Sequence, residues 1–163
     1  MTIRWFVFTL VLVCASYLSA CSGGGDNSNT NNANTNNASS KDLSTTLKTD
    51  GQSFEVSYGE IKGSEGEAYP SIPFNKIFSL SVTIKGKDGK AAALVEAPAV
   101  EAEMPEHQHG MNTKPVVESD DSGGYRVTGM LFHMPGWWTI KVAVPTSEGK
   151  TENVVFNVMV DTQ

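Results

Sequence analysis

All three histidines of this chain, His107, His109 and His133, fall between Met104 and Met134, and Met111 and Met130 lie in the same stretch. The first group reads Met104-Pro105-Glu106-His107-Gln108-His109-Gly110-Met111. Pro105 and Gly110 bracket it, which predicts a loop or a strand end. In an extended segment His107 and His109 project to the same side. Two imidazoles can then share one metal ion, with the thioethers of Met104 and Met111 beside them. The second group, Phe132-His133-Met134-Pro135-Gly136-Trp137-Trp138, offers another imidazole and thioether at the end of an expected hairpin. Imidazole with thioether is a donor set that suits copper, Cu(I) above all. A zinc site would show more His, Cys or carboxylate at fixed spacing. The candidate metal ligands are therefore His107, His109 and His133, with Met104, Met111 and Met134. The plainer reading makes them loop histidines, a turn methionine before Pro135 and a core-filling Met130. Of Trp137 and Trp138, on opposite faces of a strand, one is expected in the core and the other exposed or beside the site.

Cysteine is missing from that donor set. The chain has two cysteines, Cys14 and Cys21, both near its start. Met1-Thr2-Ile3-Arg4 carries one positive charge and leads into the apolar run Trp5 to Val13. That run suits the apolar region of an export signal and is short for a membrane span. It ends at Leu18-Ser19-Ala20-Cys21, which resembles the lipobox of bacterial lipoproteins. The resemblance implies cleavage before Cys21 and lipidation of Cys21. Residues 1–20 are then a signal peptide, and the protein is held at the membrane of the cell envelope by more than one acyl chain, a stable anchor. Ser22 follows the cysteine; in a host with two membranes this favours the outer one, facing the periplasm.

Residues 21–45 are rich in Asn, Gly, Ser and Thr and nearly free of apolar side chains. Such a stretch buries too little surface to offset its ordering entropy and is expected to be a flexible tether. A chain of about 24 residues has an end-to-end distance of roughly 25–30 Å. Residues 46–163 suit one domain with a single core.

With 12 Lys and Arg against 18 Asp and Glu, the formal net charge is −6, and no basic patch of the kind nucleic acid requires is present. No Gly-x-Ser-x-Gly, His-Glu-x-x-His or phosphate-cradling glycine loop occurs. The carboxylates have no spacing that selects an acid–base pair. A binding role is expected, not an enzyme.

The donors must be positioned by strands. Period-two alternation recurs in Phe54-Val56-Tyr58, Phe78-Leu80-Val82-Ile84, Val100-Ala102-Met104, Tyr125-Val127, Trp138-Ile140-Val142-Val144 and Val154-Phe156-Val158-Val160. With Gly and Pro punctuation and no helical periodicity, this predicts an all-β fold, an immunoglobulin-like β-sandwich of about seven strands. Asp121-Ser122-Gly123-Gly124-Tyr125-Arg126-Val127 looks like the tyrosine-corner segment of such domains, in which the Tyr hydroxyl folds back onto upstream backbone.

The C-terminal two-thirds is similar to the YtkA-like and FixH-like group of small exported β domains. The residues that carry the resemblance are Met104-Pro105, His107-Gln108-His109-Gly110-Met111, Gly124-Tyr125, Phe132 to Trp138, and Asn153-Val154-Val155-Phe156. The resemblance implies an immunoglobulin-like sandwich outside a membrane, and some relatives are linked to copper handling. The leading expectation is a tethered copper-binding module that serves an envelope protein client. Its rivals are a protein-interaction domain that docks to an envelope complex without metal, and a binder of a small organic molecule.

Overall fold

The computed structural model describes residues 41–162. The expected signal peptide, Cys21 and the tether as far as residue 40 lie outside the described residues. Among the described residues no helix is long and apolar enough to cross a membrane.

Nine strands follow one another: β1 (Thr46–Lys48), β2 (Glu55–Gly63), β3 (Ile77–Lys85), β4 (Ala99–Met104), β5 (His109–Gly110), β6 (Val116–Ser119), β7 (Tyr125–Leu131), β8 (Gly136–Pro145) and β9 (Thr151–Val160). They form a five-stranded sheet in the order β1-β2-β3-β7-β6 and a four-stranded sheet in the order β5-β4-β8-β9. Every strand pairing is antiparallel. The fold is the expected β-sandwich, with nine strands in place of about seven. Beyond the six alternating segments, β1, β5 and β6 have three, two and four residues, too few for alternation to show in a sequence.

Alternation in the long strands supplies the core. Phe78, Leu80, Val82 and Ile84 of β3 face Val100, Ala102 and Met104 of β4, Trp138 to Val144 of β8 and Val154 to Val160 of β9 in one buried cluster. Each large side chain so buried contributes about 1.5–3 kcal/mol. One irregularity matters for the site. In β7 the inward positions pass from Val127 to Met130, because the pairing with β3 shifts register between Phe78 and Leu80. Gly129, at φ 74°, takes up that bulge. Phe132 is thereby brought inward and fully buried, and His133 follows at the sandwich end.

Two local expectations are corrected. Asp121 to Tyr125 is not a tyrosine corner between sheets; it is the turn of the β6–β7 hairpin within one sheet. Asp120 orders it: its carboxylate accepts the N–H groups of Ser122 and Gly124, each at 2.9 Å. Nor does His133 stand at a hairpin end. β7 belongs to one sheet and β8 to the other, so His133-Met134-Pro135 crosses between them. Residues 41–45, read from composition as tether, already touch the domain. Asn157 Nδ2 donates to the Asp42 carbonyl at 3.2 Å, and the Tyr58 N–H to that of Thr45 at 3.0 Å.

Candidate metal centre

The two histidine-bearing segments meet at one end of the sandwich. Pro105 to Gln108 form the turn that joins β4 to β5. The His107 N–H donates to the Met104 carbonyl at 3.1 Å, and Gln108 closes the turn at φ 54°. The reversal sets His109 opposite Met104 in the β4–β5 register. Directly opposed residues share a face, and Met104 is buried at 1 % exposure. His109 is therefore carried toward the interior. His107, left in the turn, is exposed. The expectation that His107 and His109 project together from an extended segment is corrected: a turn separates them, and their ring centroids are 6.0 Å apart.

The second imidazole comes from the inter-sheet crossing. The Trp138 indole N–H donates to the Met134 carbonyl at 2.9 Å and closes the loop after His133. Trp138 is itself fully buried and stacks on Phe132, with centroids 4.6 Å apart. Its indole is the floor of the site: the rings of His109 and His133 stand edge-on to it at 5.7 and 5.6 Å. Trp138 is thus the core member of the Trp pair. Trp137 is half-buried under Lys41 Nζ, 4.7 Å from its ring centroid.

The His109 and His133 rings are 5.2 Å apart, centroid to centroid, and 34° from parallel. His109 Nδ1 lies 3.0 Å from the Gly110 carbonyl oxygen. A carbonyl only accepts, so Nδ1 is the donor in this contact; in a neutral ring the lone pair is then on Nε2. That Nε2 is buried without a hydrogen-bond partner, and so is His133 Nδ1. Buried polar atoms are seldom left unpaired, and each one that is costs about 1–3 kcal/mol. Here two such atoms belong to neighbouring rings whose centroids are 5.2 Å apart. The Nδ1–carbonyl contact is also the arrangement that fixes the tautomer of a metal-binding histidine.

The thioethers are divided. Met104 lies across from His109, and its methyl carbon sits 3.2 Å from where a Cβ on Gly136 would be. Met111 is engaged elsewhere, its sulfur accepting the Leu131 N–H at 3.5 Å. Met134 is half-buried and packs on the core. Met130 is fully buried core. Among the described residues no group of three or more His, Cys, Asp or Glu is placed to hold a metal ion. Among the three histidines the rings of His109 and His133 lie nearest each other, at 5.2 Å. Sequence reasoning missed the role of Trp138, and its spacing of four from Met134 was the available signal.

A groove of about 490 Å³ lies apart from this pair, beside β4 between Val100 and Pro115. No curated protein and no solved structure matches this chain. The Asn153 to Phe156 part of the resemblance falls outside the stretch that a family model matches. Residues 67–143 match the YtkA-like family model, a span that opens after β2, closes within β8 and contains His107, His109 and His133.

Proposed function

We propose that this domain is a copper-binding module of the cell envelope, with His109 and His133 as its paired ligands and Met104 as the nearest thioether in register. The observation that carries the reading is the pair of buried, unpartnered ring nitrogens on imidazoles 5.2 Å apart. Two metal–nitrogen bonds of about 2.0 Å each, the usual imidazole value, would meet between rings at that separation at a bent angle. The bend leaves coordination positions for a thioether or water. A soft monovalent ion is favoured over zinc, which would want four donors. The donor set holds no thiol, which suits an oxidising compartment. A lipid on Cys21 would keep the module at a membrane, where it sequesters or hands on copper without catalysing a reaction.

The test is titration of the apo-protein with Cu(I) against a chromophoric chelator. Affinity tighter than about micromolar is expected, weakened at least tenfold by His109→Ala and by His133→Ala. No binding in that range, or binding that survives the double substitution, rejects the reading. A partner retained from envelope extracts by the double variant would then favour the metal-free docking module.

A further inference from the structure

The paired nitrogens are sealed from solvent, so a hydrated ion cannot reach them directly. A metal ion that occupies the pair must shed its water on the way in, which a ligand beside the pair would assist. The three imidazoles are neighbours in sequence of contact: His107 is exposed in the turn, its ring is 6.0 Å from that of half-buried His109, and His109 is 5.2 Å from half-buried His133. The carboxylate on the same turn is engaged, since Glu106 pairs with Lys41 Nζ at 3.1 Å. That ion pair and the His107 N–H bond to Met104 hold the turn beside the pair while the His107 side chain stays in water. Exposed side chains change rotamer in picoseconds to nanoseconds, far faster than a packed ring can turn.

We propose that His107 is the transfer ligand of this site: it takes the ion from outside, passes it to the His109–His133 pair, and reverses the path on release. The proposal rests on the copper reading above. The step is a ligand exchange. The His107 lone pair displaces one outer ligand from Cu(I); the His109 Nε2 lone pair then displaces the other, and the His133 Nδ1 lone pair displaces His107. Each bond to the metal that forms replaces one that breaks, and the oxidation state does not change. A transfer ligand absent from the final site alters rates and leaves the equilibrium alone, because the dissociation constant is the ratio of the two rates.

The experiment is stopped-flow exchange of Cu(I) between the protein and bicinchoninate, followed in both directions for wild type, His107→Ala, His107→Met and His109→Ala. His107→Ala is expected to slow uptake and release by the same factor, about tenfold or more, with an unchanged dissociation constant. His107→Met restores a soft donor and is expected to recover most of the rate, which a purely structural role of the turn would not allow. Unchanged exchange in His107→Ala, with tight binding retained, overturns the transfer role and leaves the copper reading standing. Loss of affinity in His107→Ala makes His107 a resident ligand and also overturns the proposal. A wild type that binds no Cu(I) removes the copper reading, and the proposal with it.

Discussion

If the His133 ring nitrogen is kept bare for a metal ion, the apo-protein is less stable for it, and filling the position with a ring that has no nitrogen should stabilise the domain. His133→Phe makes that change most cleanly. The phenyl ring keeps the edge-on contact with Trp138, 5.6 Å between centroids in the wild type, and removes the unpartnered Nδ1. An unsatisfied buried polar group costs about 1–3 kcal/mol. The slightly larger ring returns part of this as strain, so a net gain of about 1 kcal/mol is expected. In a domain of about 120 residues that is a rise in Tm of about 4 °C. His109→Phe should gain less, because it also loses the Nδ1 bond to the Gly110 carbonyl, worth about 1 kcal/mol. His107→Phe, at an exposed position, should stay within about 0.5 kcal/mol of wild type. The assay is urea or thermal unfolding of metal-free protein, repeated with Cu(I). With the ion at a hundred times its dissociation constant the wild type should gain about 2.7 kcal/mol and overtake His133→Phe, which should gain nothing. A metal-free His133→Phe that is less stable than wild type by 1 kcal/mol or more would mean that Nδ1 is satisfied in solution. The site would then be structural.

Three further outcomes are expected. Gly136→Ala puts a Cβ 3.2 Å from the Met104 methyl at a backbone φ of 115°; it should cost about 1–3 kcal/mol and weaken metal binding as Met104 is displaced, and an unmoved urea midpoint would contradict this. Burial works against the charge of Glu152, but hydrogen bonds from Ser53 and Thr49 outweigh it and hold its pKa below the ordinary 4.5. The stability this carboxylate contributes is complete above that value and is lost as the pH falls through the depressed folded-state pKa; Glu152→Gln should flatten the acid limb of a stability–pH curve there, and an identical limb would refute the linkage. Cu(I) should change the fluorescence of Trp138, edge-on to both imidazoles. With Trp137→Phe removing the other indole among the described residues, a spectrum unmoved by copper would count against the site.

The sandwich was legible because its long strands bury alternate residues, a pattern that Phe78 to Ile84 and Trp138 to Val144 display without ambiguity. Its topology was not. Nothing in Asp121 to Tyr125 distinguishes a corner between sheets from a hairpin within one, since glycine and aspartate serve both. The Gly129 bulge decides which way Phe132 and His133 face, and an isolated glycine does not announce a shift of register. The soft-donor stretch was visible as composition, yet the pairing inside it was not. His107 and His109 are two residues apart and look equivalent, but the turn closed by Gln108 exposes one and folds the other against Met104. His133 joins His109 through a contact that depends on the whole sandwich being closed.

Imidazole nitrogen resonances test the central claim most directly. In ¹⁵N-labelled apo-protein at alkaline pH, where an imidazole is neutral, His109 should show the tautomer protonated at Nδ1. On addition of Cu(I), which is diamagnetic, His109 Nε2 and His133 Nδ1 should shift together and stoichiometrically to metal-bound values, with His107 unmoved at the end point. Resonances of His109 and His133 that stay in place while copper is present in excess would contradict the assignment of this pair as the site.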